Sequence, residues 1–220
     1  MRSVDSPRFS AVVLAAGGSS RLGSPKQLVR FEGEPLVCRA ARLAEESGAR
    51  SVVVVTGASG EAVAEALGGA RVRLAFNAGW AEGPGSSVRV GLEALLADTS
   101  RGRGEATVLM LCDQPFVTPE HLRALAELVG GGHPAAASAY GGEGELGVPA
   151  AFAEELLPEL LSLSGSQGAR PVLVRHRARV ALVPFAEGLL DVDTPEDLER
   201  LGARAALPLH HGPVLASPRE

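Results

Sequence analysis

AVVLAAGGSSRLGSPK, residues 11–26, carries a β-branched apolar run into Gly17-Gly18 and then delivers Arg21 and Lys26. Val12, Val13 and Leu14 read as a buried parallel strand, because no polar residue alternates with them. The small residues that follow let main-chain N–H groups approach an anion without interference from a Cβ. Strand, glycine turn and then cations is the order that a nucleoside triphosphate site requires. Arginine forks two donors onto neighbouring oxygens and lysine acts as a mobile point charge, so Arg21 and Lys26 together suit an extended triphosphate. Two familiar phosphate loops are excluded by spacing. A Walker loop needs Lys-Ser/Thr directly after its second glycine, whereas Gly23 is followed by Ser24-Pro25-Lys26. A dinucleotide fingerprint needs a G-x-G start, which Gly17-Gly18-Ser19 lacks.

Outward from this stretch, strand patterns at 11–15, 51–56, 71–76, 106–112, 135–139 and 179–184 alternate with helical patterns near 36–47, 60–67, 86–97, 118–129, 151–161 and 194–203. That alternation predicts an α/β fold with a mostly parallel sheet sandwiched by helices. The run SVVVVT (51–56) suits a strand covered on both faces. At 220 residues and 45% hydrophobic content the chain can build one large core, and no linker divides it. The expected organisation is an N-terminal extension (1–9), one domain (10–203) and a peripheral or disordered tail (204–220). Gly141-Gly142-Glu143-Gly144-Glu145 breaks the rhythm and predicts a hairpin or an irregular excursion beside the sheet.

A second apolar run, VLMLCDQP (108–115), ends in a carboxylate, so Asp113 is expected at the carboxyl edge of the sheet, where ligands of open α/β sheets collect. If its strand neighbours the first, Asp113 and the Gly17 loop face one crevice. Asp113 there is a candidate Mg²⁺ ligand, because one or two carboxylates suffice when phosphates supply other oxygens. In LLDVDTPEDL (189–198), Asp191 and Asp193 lie two residues apart, on one side of an extended segment. Either is a candidate second metal ligand, and spacing does not choose between them. Thr194, Pro195 and Asp197 spell a helix start. In NAGWAEGPGSSVRVG (77–91), Asn77, Gly83, Ser86 and Ser87 predict a base or ribose pocket. The five histidines show no metal-ligand spacing and are assigned no catalysis.

The formal net charge of −5 gives no general attraction to nucleic acid or an anionic membrane, so any anion site is local. Two cysteines are too few for a disulfide framework, and MRSVDSPRFS lacks the apolar core of a signal peptide. No apolar run approaches the roughly 20 residues of a membrane span. These features predict a soluble, cytoplasmic protein.

Taken in order, LAAGGSSRLGSPKQL, the N-x-G-W-x-x-G-x-x-S-S loop, LCDQPFVTPEHL and DVDTPEDL resemble MobA-like nucleotidyltransferases from about residue 10 to 203. Leu14-Ala15-Ala16-Gly17 and Asp113-Gln114-Pro115 are similar to the cytidylyltransferases of the molybdenum cofactor. Guanylyltransferase relatives carry a second Gly at the Ala16 position and Asp-Thr-Pro at the Asp113 segment. The resemblance implies a Rossmann-like fold, Mg²⁺, and transfer of CMP from CTP onto the terminal phosphate of molybdopterin, with pyrophosphate leaving. It also implies nucleotide contacts from Leu14, Ala15, Ala16, Gly17 and Gly18, catalytic roles for Arg21, Lys26 and Asp113, and transient contact with a molybdoenzyme or its maturation factor. Residues 165–170, GSQGAR, are similar to a Gly-Asp-x-Gly-Ala-Arg segment, which implies acceptor contacts from Gly168 and Arg170. Ser166 stands at the acidic position and supplies no negative charge, so the acceptor side is where this chain departs from the pattern. Transfer to another phospho-acceptor, use of GTP, and a non-catalytic carrier of nucleotide or cofactor are the alternatives left open.

Overall fold

The computed structural model describes residues 8–141, 145–189 and 191–205. The expected tail beyond residue 205, the extension over residues 1–7, and residues 142–144 of the glycine-rich excursion lie outside the described residues. In chain order the elements are β1 (Phe9–Ala15), β2 (Arg30–Phe31), β3 (Glu34–Pro35), α1 (Leu36–Glu46), β4 (Val52–Thr56), α2 (Gly60–Ala66), β5 (Arg73–Phe76), α3 (Pro84–Leu96) and β6 (Ala106–Leu111). There follow α4 (Pro119–Gly130), β7 (Ala135–Ala139), β8 (Leu146–Phe152), α5 (Leu157–Leu161), α6 (Arg170–Arg175), β9 (Val180–Pro184) and α7 (Pro195–Ala205).

Seven strands form one sheet in the order β5-β4-β1-β6-β8-β7-β9. Alternate residues of each strand enter opposite cores, as a period of two requires. Ala11, Val13, Val52 and Val54 pack under α1, α2 and α4, while Val12, Val53 and Val55 pack under α3, α5 and α6. Both faces are therefore covered, and the unbroken valine run of β4 is buried throughout. The fold is the expected Rossmann-like three-layer α/β/α sandwich. Outside it, Phe31, Leu36, Val192 and Leu201 make a third, smaller cluster that seats α7 on the short β2–β3 hairpin.

One predicted element is corrected. The helix expected over 151–161 is shortened to a 3-10 turn over Glu154–Leu156 that runs into α5, because residues up to Phe152 belong to β8. This strand runs antiparallel to both β6 and β7 and is the one reversed strand of the sheet. Its alanines carry weak local preference, and the two flanking strands decide its state. β7 and β8, which flank the excursion, pair antiparallel from Ala135 opposite Phe152 to Ala139 opposite Leu146. Phe9 begins β1 and is 1% exposed, so the buried domain starts inside the expected extension.

Candidate active site

β1 pairs with β4 on one side and β6 on the other, with Leu14 opposite Leu111. That makes the carboxyl ends of β1 and β6 the topological switch point, and the two loops leaving them share a crevice. The loop after β1 is shaped by a residue that sequence reading passed over. Gln27 is fully buried and its Nε2 donates to Ala15 O (3.0 Å) and Gly17 O (2.7 Å). Ser19 sits at φ +52° and its Oγ accepts from the Lys26 amide at 3.0 Å, which turns the chain back toward β6. The only signal for Gln27 is an amide side chain inside the apolar stretch after Pro25. Replacing it with methionine strands two carbonyls, so Gln27→Met is expected to cost about 2 kcal/mol, or roughly 4–8 °C in thermal midpoint. A midpoint unchanged in a thermal melt would mean that water satisfies both carbonyls.

Lys26 is the hub of the crevice. Its Nζ hydrogen-bonds Asp113 Oδ2 and reaches Asp193 Oδ1 at 2.7 Å, while Arg21 Nη2 takes Asp193 Oδ2 at 2.7 Å. Burial alone would lower the Lys26 ammonium, but Asp113 and Asp193 outweigh it and hold it well above the ordinary lysine range. At Asp193 burial acts upward, and the Lys26 and Arg21 cations reverse it, leaving that carboxyl below its usual value. Asp191 behaves differently. Burial pushes its carboxyl up to about 7, and the charge of Asp113 acts in the same direction.

These contacts separate the two candidates that spacing left equal. Asp193 is held by two cations, whereas Asp191 Oδ1 and Asp113 Oδ1 are buried oxygens without a hydrogen-bond partner among the described residues. The main chain holds the two segments together, since the Val192 amide donates to Asp113 O at 3.2 Å. Orphaned carboxylate oxygens on neighbouring segments fit a divalent cation, and Asp113 with Asp191 are the residues that would hold it. Among the described residues no group of three or more His, Cys, Asp or Glu is arranged around a metal position. A two-carboxylate set suits a metal whose other ligands are phosphate oxygens and water.

Two cavities open from this hub. One, of about 320 Å³, is lined by Leu14, Ala16, Gly17, Gly18, Lys26, Trp80, Gly83, Ser87 and Asp113. Trp80 packs on the glycine loop so closely that a Cβ at Gly18 would lie 2.9 Å from its ring, so Gly18 is required by packing. The other cavity, of about 370 Å³, contains Gln114, Tyr140, Gly168, Arg170 and Asp191. Leu14, Pro84 and Leu111 form a wall common to both. Gln114 Nε2 donates to Val148 O at 3.0 Å and to Tyr140 Oη at 3.2 Å.

Several expected contacts are corrected by this geometry. Asn77 and Ser86 are 2% and 1% exposed and line neither cavity. Asn77 Nδ2 donates to Ser86 Oγ (2.8 Å) and Ser87 Oγ (3.0 Å), and Ser86 Oγ donates on to Gly83 O and Gly79 O. Both side chains shape the loop, and of the three expected polar contacts only Ser87 faces the cavity. Ala15 is buried under the sheet's other face, and Arg21 lies outside the cavities on Asp193. The N-cap read at Thr194 exchanges hydrogen bonds with Asp197, and at the start of α4 Thr118 Oγ1 accepts from the His121 amide. His121 is stacked on Phe185 and bonded to Ser138, and His176 pairs with Glu159, so neither serves the crevice. Burial pushes the Cys112 thiol up, which leaves it un-ionised beside Asp113 and unsuited to nucleophilic attack.

Residues 11–180 match the MobA-like NTP transferase domain. The chain belongs to that family. Over 209 residues this MobA-like protein is 32% identical to nicotine blue oxidoreductase of Paenarthrobacter nicotinovorans, covering 91% of the chain and all of the relative. It is 29% identical to purine catabolism protein PucB of Bacillus subtilis (strain 168), covering 88% and 96%. Among solved structures, Rv0371c of Mycobacterium tuberculosis H37Rv superposes with a TM-score of 0.71 at 32% identity, over 88% of this chain and 97% of that one. A nucleotidyl transferase from Methanothermobacter thermautotroptrophicus superposes at 0.74 with 25% identity, over 90% and 97%. Molybdopterin-guanine dinucleotide biosynthesis protein A from Archaeoglobus fulgidus shares the fold at 0.61 and 22% identity, over 89% and 98%.

Proposed function

We propose that this MobA-like protein is a divalent-metal-dependent nucleotidyltransferase. In the finer reading it moves CMP from CTP to the terminal phosphate of a molybdopterin-type acceptor and releases pyrophosphate. The observation that carries this reading is the pair of cavities sharing the wall of Leu14, Pro84 and Leu111, with Lys26 and Asp113 lining the first and Asp191 lining the second. A two-substrate transfer needs that arrangement, and a single-ligand carrier does not. The Rv0371c structure from Mycobacterium tuberculosis H37Rv that is described as a manganese complex supports the divalent metal. We read the physiological ion as Mg²⁺, held by Asp113 and Asp191. When bound, the ion would neutralise phosphate charge as the pentavalent centre forms.

The remaining work falls to the chain. Gly17 and Lys26 border the first cavity, where the triphosphate would lie, and Lys26 would draw charge off the departing phosphates. Arg170 borders the second cavity and would orient the acceptor's phosphate. An oxygen of that phosphate attacks the α-phosphorus, the bond from the α-phosphorus to the α–β bridging oxygen breaks, and pyrophosphate leaves with the electron pair. The acceptor phosphate is already ionised near neutrality, so positioning and charge neutralisation suffice without a general base. Among the described residues no helix is long and apolar enough to cross a membrane. In this reading the protein acts in the cytoplasm, with a molybdoenzyme or its maturation factor as recipient.

The test is pyrophosphate release with Mg²⁺, each of CTP, GTP, ATP and UTP, and molybdopterin as acceptor. Release that needs both CTP and acceptor is the expected result. Release with a different nucleotide would overturn the cytidylyl reading, and nucleotide binding without release would favour a carrier. The relative named an oxidoreductase, matched over its whole length, favours a second reading. Chain 11–26 lacks the dinucleotide fingerprint, so NAD(P)H is expected neither to bind nor to be consumed.

A further inference from the structure

The two cavities are joined by main chain as well as by a wall. Gly83 and Pro84 border the first cavity, and Pro84, Gly168 and Arg170 border the second. Between them the first turn of α3 presses directly on residues 164–168. The Gly85 amide donates to Gly165 O at 3.3 Å. A Cβ at Gly83 would overlap the Gly165 carbonyl, lying 2.7 Å from its carbon, and one at Gly85 would lie 2.8 Å from Gln167 O and 2.9 Å from Ser164 N. Every atom met is backbone, so no flexible side chain can absorb a displacement.

Both partners of this contact are anchored. On the nucleotide side Gly83 sits at φ +120°, open to glycine but strained for other residues, and Ser86 holds its carbonyl under the Asn77 amide. On the acceptor side Ala169 is buried and α6 begins at once with Arg170, fixed in the core by Val172 and Leu173. A shift of residues 83–85 therefore presses on the backbone of the segment that leads into Arg170.

We infer that Gly83 and Gly85 are positioning residues which couple the two sites: filling the first cavity with nucleotide orders residues 164–170 for the acceptor. The coupling rests on the proposed nucleotide site, and by linkage the acceptor must tighten nucleotide binding by the same factor.

Amide hydrogen exchange of the wild-type chain with Mg²⁺, with and without CTP, is the test, and it needs no acceptor. Slower exchange at both 79–87 and 164–170 is the expected result. Protection at 79–87 alone overturns the coupling. No protection at either segment with any of the four nucleotides overturns the nucleotide reading, and the coupling with it. Gly85→Ala is expected to keep protection at 79–87, lose it at 164–170, and raise the acceptor KM about 10-fold with nucleotide KM changed less than about 2-fold. Equal rises in both KM values would assign Gly85 a merely structural role. Gln167→Ala keeps every backbone atom of the contact and is expected to behave as wild type; lost protection at 164–170 in that chain would overturn the glycine contact. If Gly85→Ala does not fold, the wild-type exchange decides alone.

Discussion

Asp113→Asn is expected to reduce nucleotidyl transfer by about 10³-fold or more while the chain stays folded. The side chain is 6% exposed, donates nothing, and divides its two oxygens between distinct tasks. Oδ2 holds Lys26, and Oδ1 is a buried acceptor without a partner among the described residues. Asparagine keeps the shape and removes the charge, so the proposed cation loses one of its two carboxylates and Lys26 loses its inner counter-ion. Folding is affected far less. Lys26 still has Asp193 at 2.7 Å, and the repulsion that Asp113 exerts on Asp191 disappears. These changes oppose each other, and the thermal midpoint is expected to move by no more than about 4 °C. Retained turnover, read as acceptor-dependent pyrophosphate release, would remove Asp113 from the proposed mechanism. A collapsed midpoint with lost turnover would assign it to folding instead.

The difference between these two effects reflects what was legible in the chain. β1, β4 and β6 could be read because buried parallel strands are spelled locally, by apolar runs such as SVVVVT and VLML. The helix starts at Thr118 and Thr194 were equally local, since a cap and its partner lie within one turn. β8 could not be read this way. Its Pro-Ala-Ala-Phe segment has little preference of its own, and it is a strand because β6 and β7 flank it. The same holds within the site. Spacing placed Asp191 and Asp193 together, but what separates them is Lys26, more than 160 positions earlier in the chain. Asn77 and Ser86 have the polar groups of a ligand contact, and only the fold reveals that those groups face each other. Gln27 shows the converse: nothing local marks an amide as the support of a loop, and burial against two carbonyls does.

Lys26→Ala is expected to act on stability as well as on binding, in a way that identifies the carboxylates it leaves behind. The Lys26 side chain is 19% exposed and bridges Asp113 and Asp193, so its removal strands a buried carboxylate beside Asp191 with Arg21 as the remaining cation. Breaking a fully buried pair costs about 3–5 kcal/mol, and the open crevice with Arg21 in place reduces this to about 2 kcal/mol. Because the folded-state pKa of Lys26 lies above its ordinary value, this contribution is fully present below about pH 10 and is lost only at higher pH. Lys26 also holds down the Asp191 carboxyl, which burial pushes up to about 7, so in the variant that carboxyl rises further and the deficit should grow from pH 7 to pH 9 in thermal melts. Nucleotide affinity is expected to fall about 30-fold, the loss of one charge-assisted contact to phosphate. Mg²⁺ without nucleotide gives the sharper comparison. In wild type Lys26 already neutralises Asp113, and a cation must compete with it; in Lys26→Ala the carboxylates have lost that neighbour. Mg²⁺ is expected to raise the midpoint of the variant by more than that of the wild-type chain. Equal shifts would mean that the ion binds away from Asp113 and Asp191, and the proposed metal ligands would have to be abandoned.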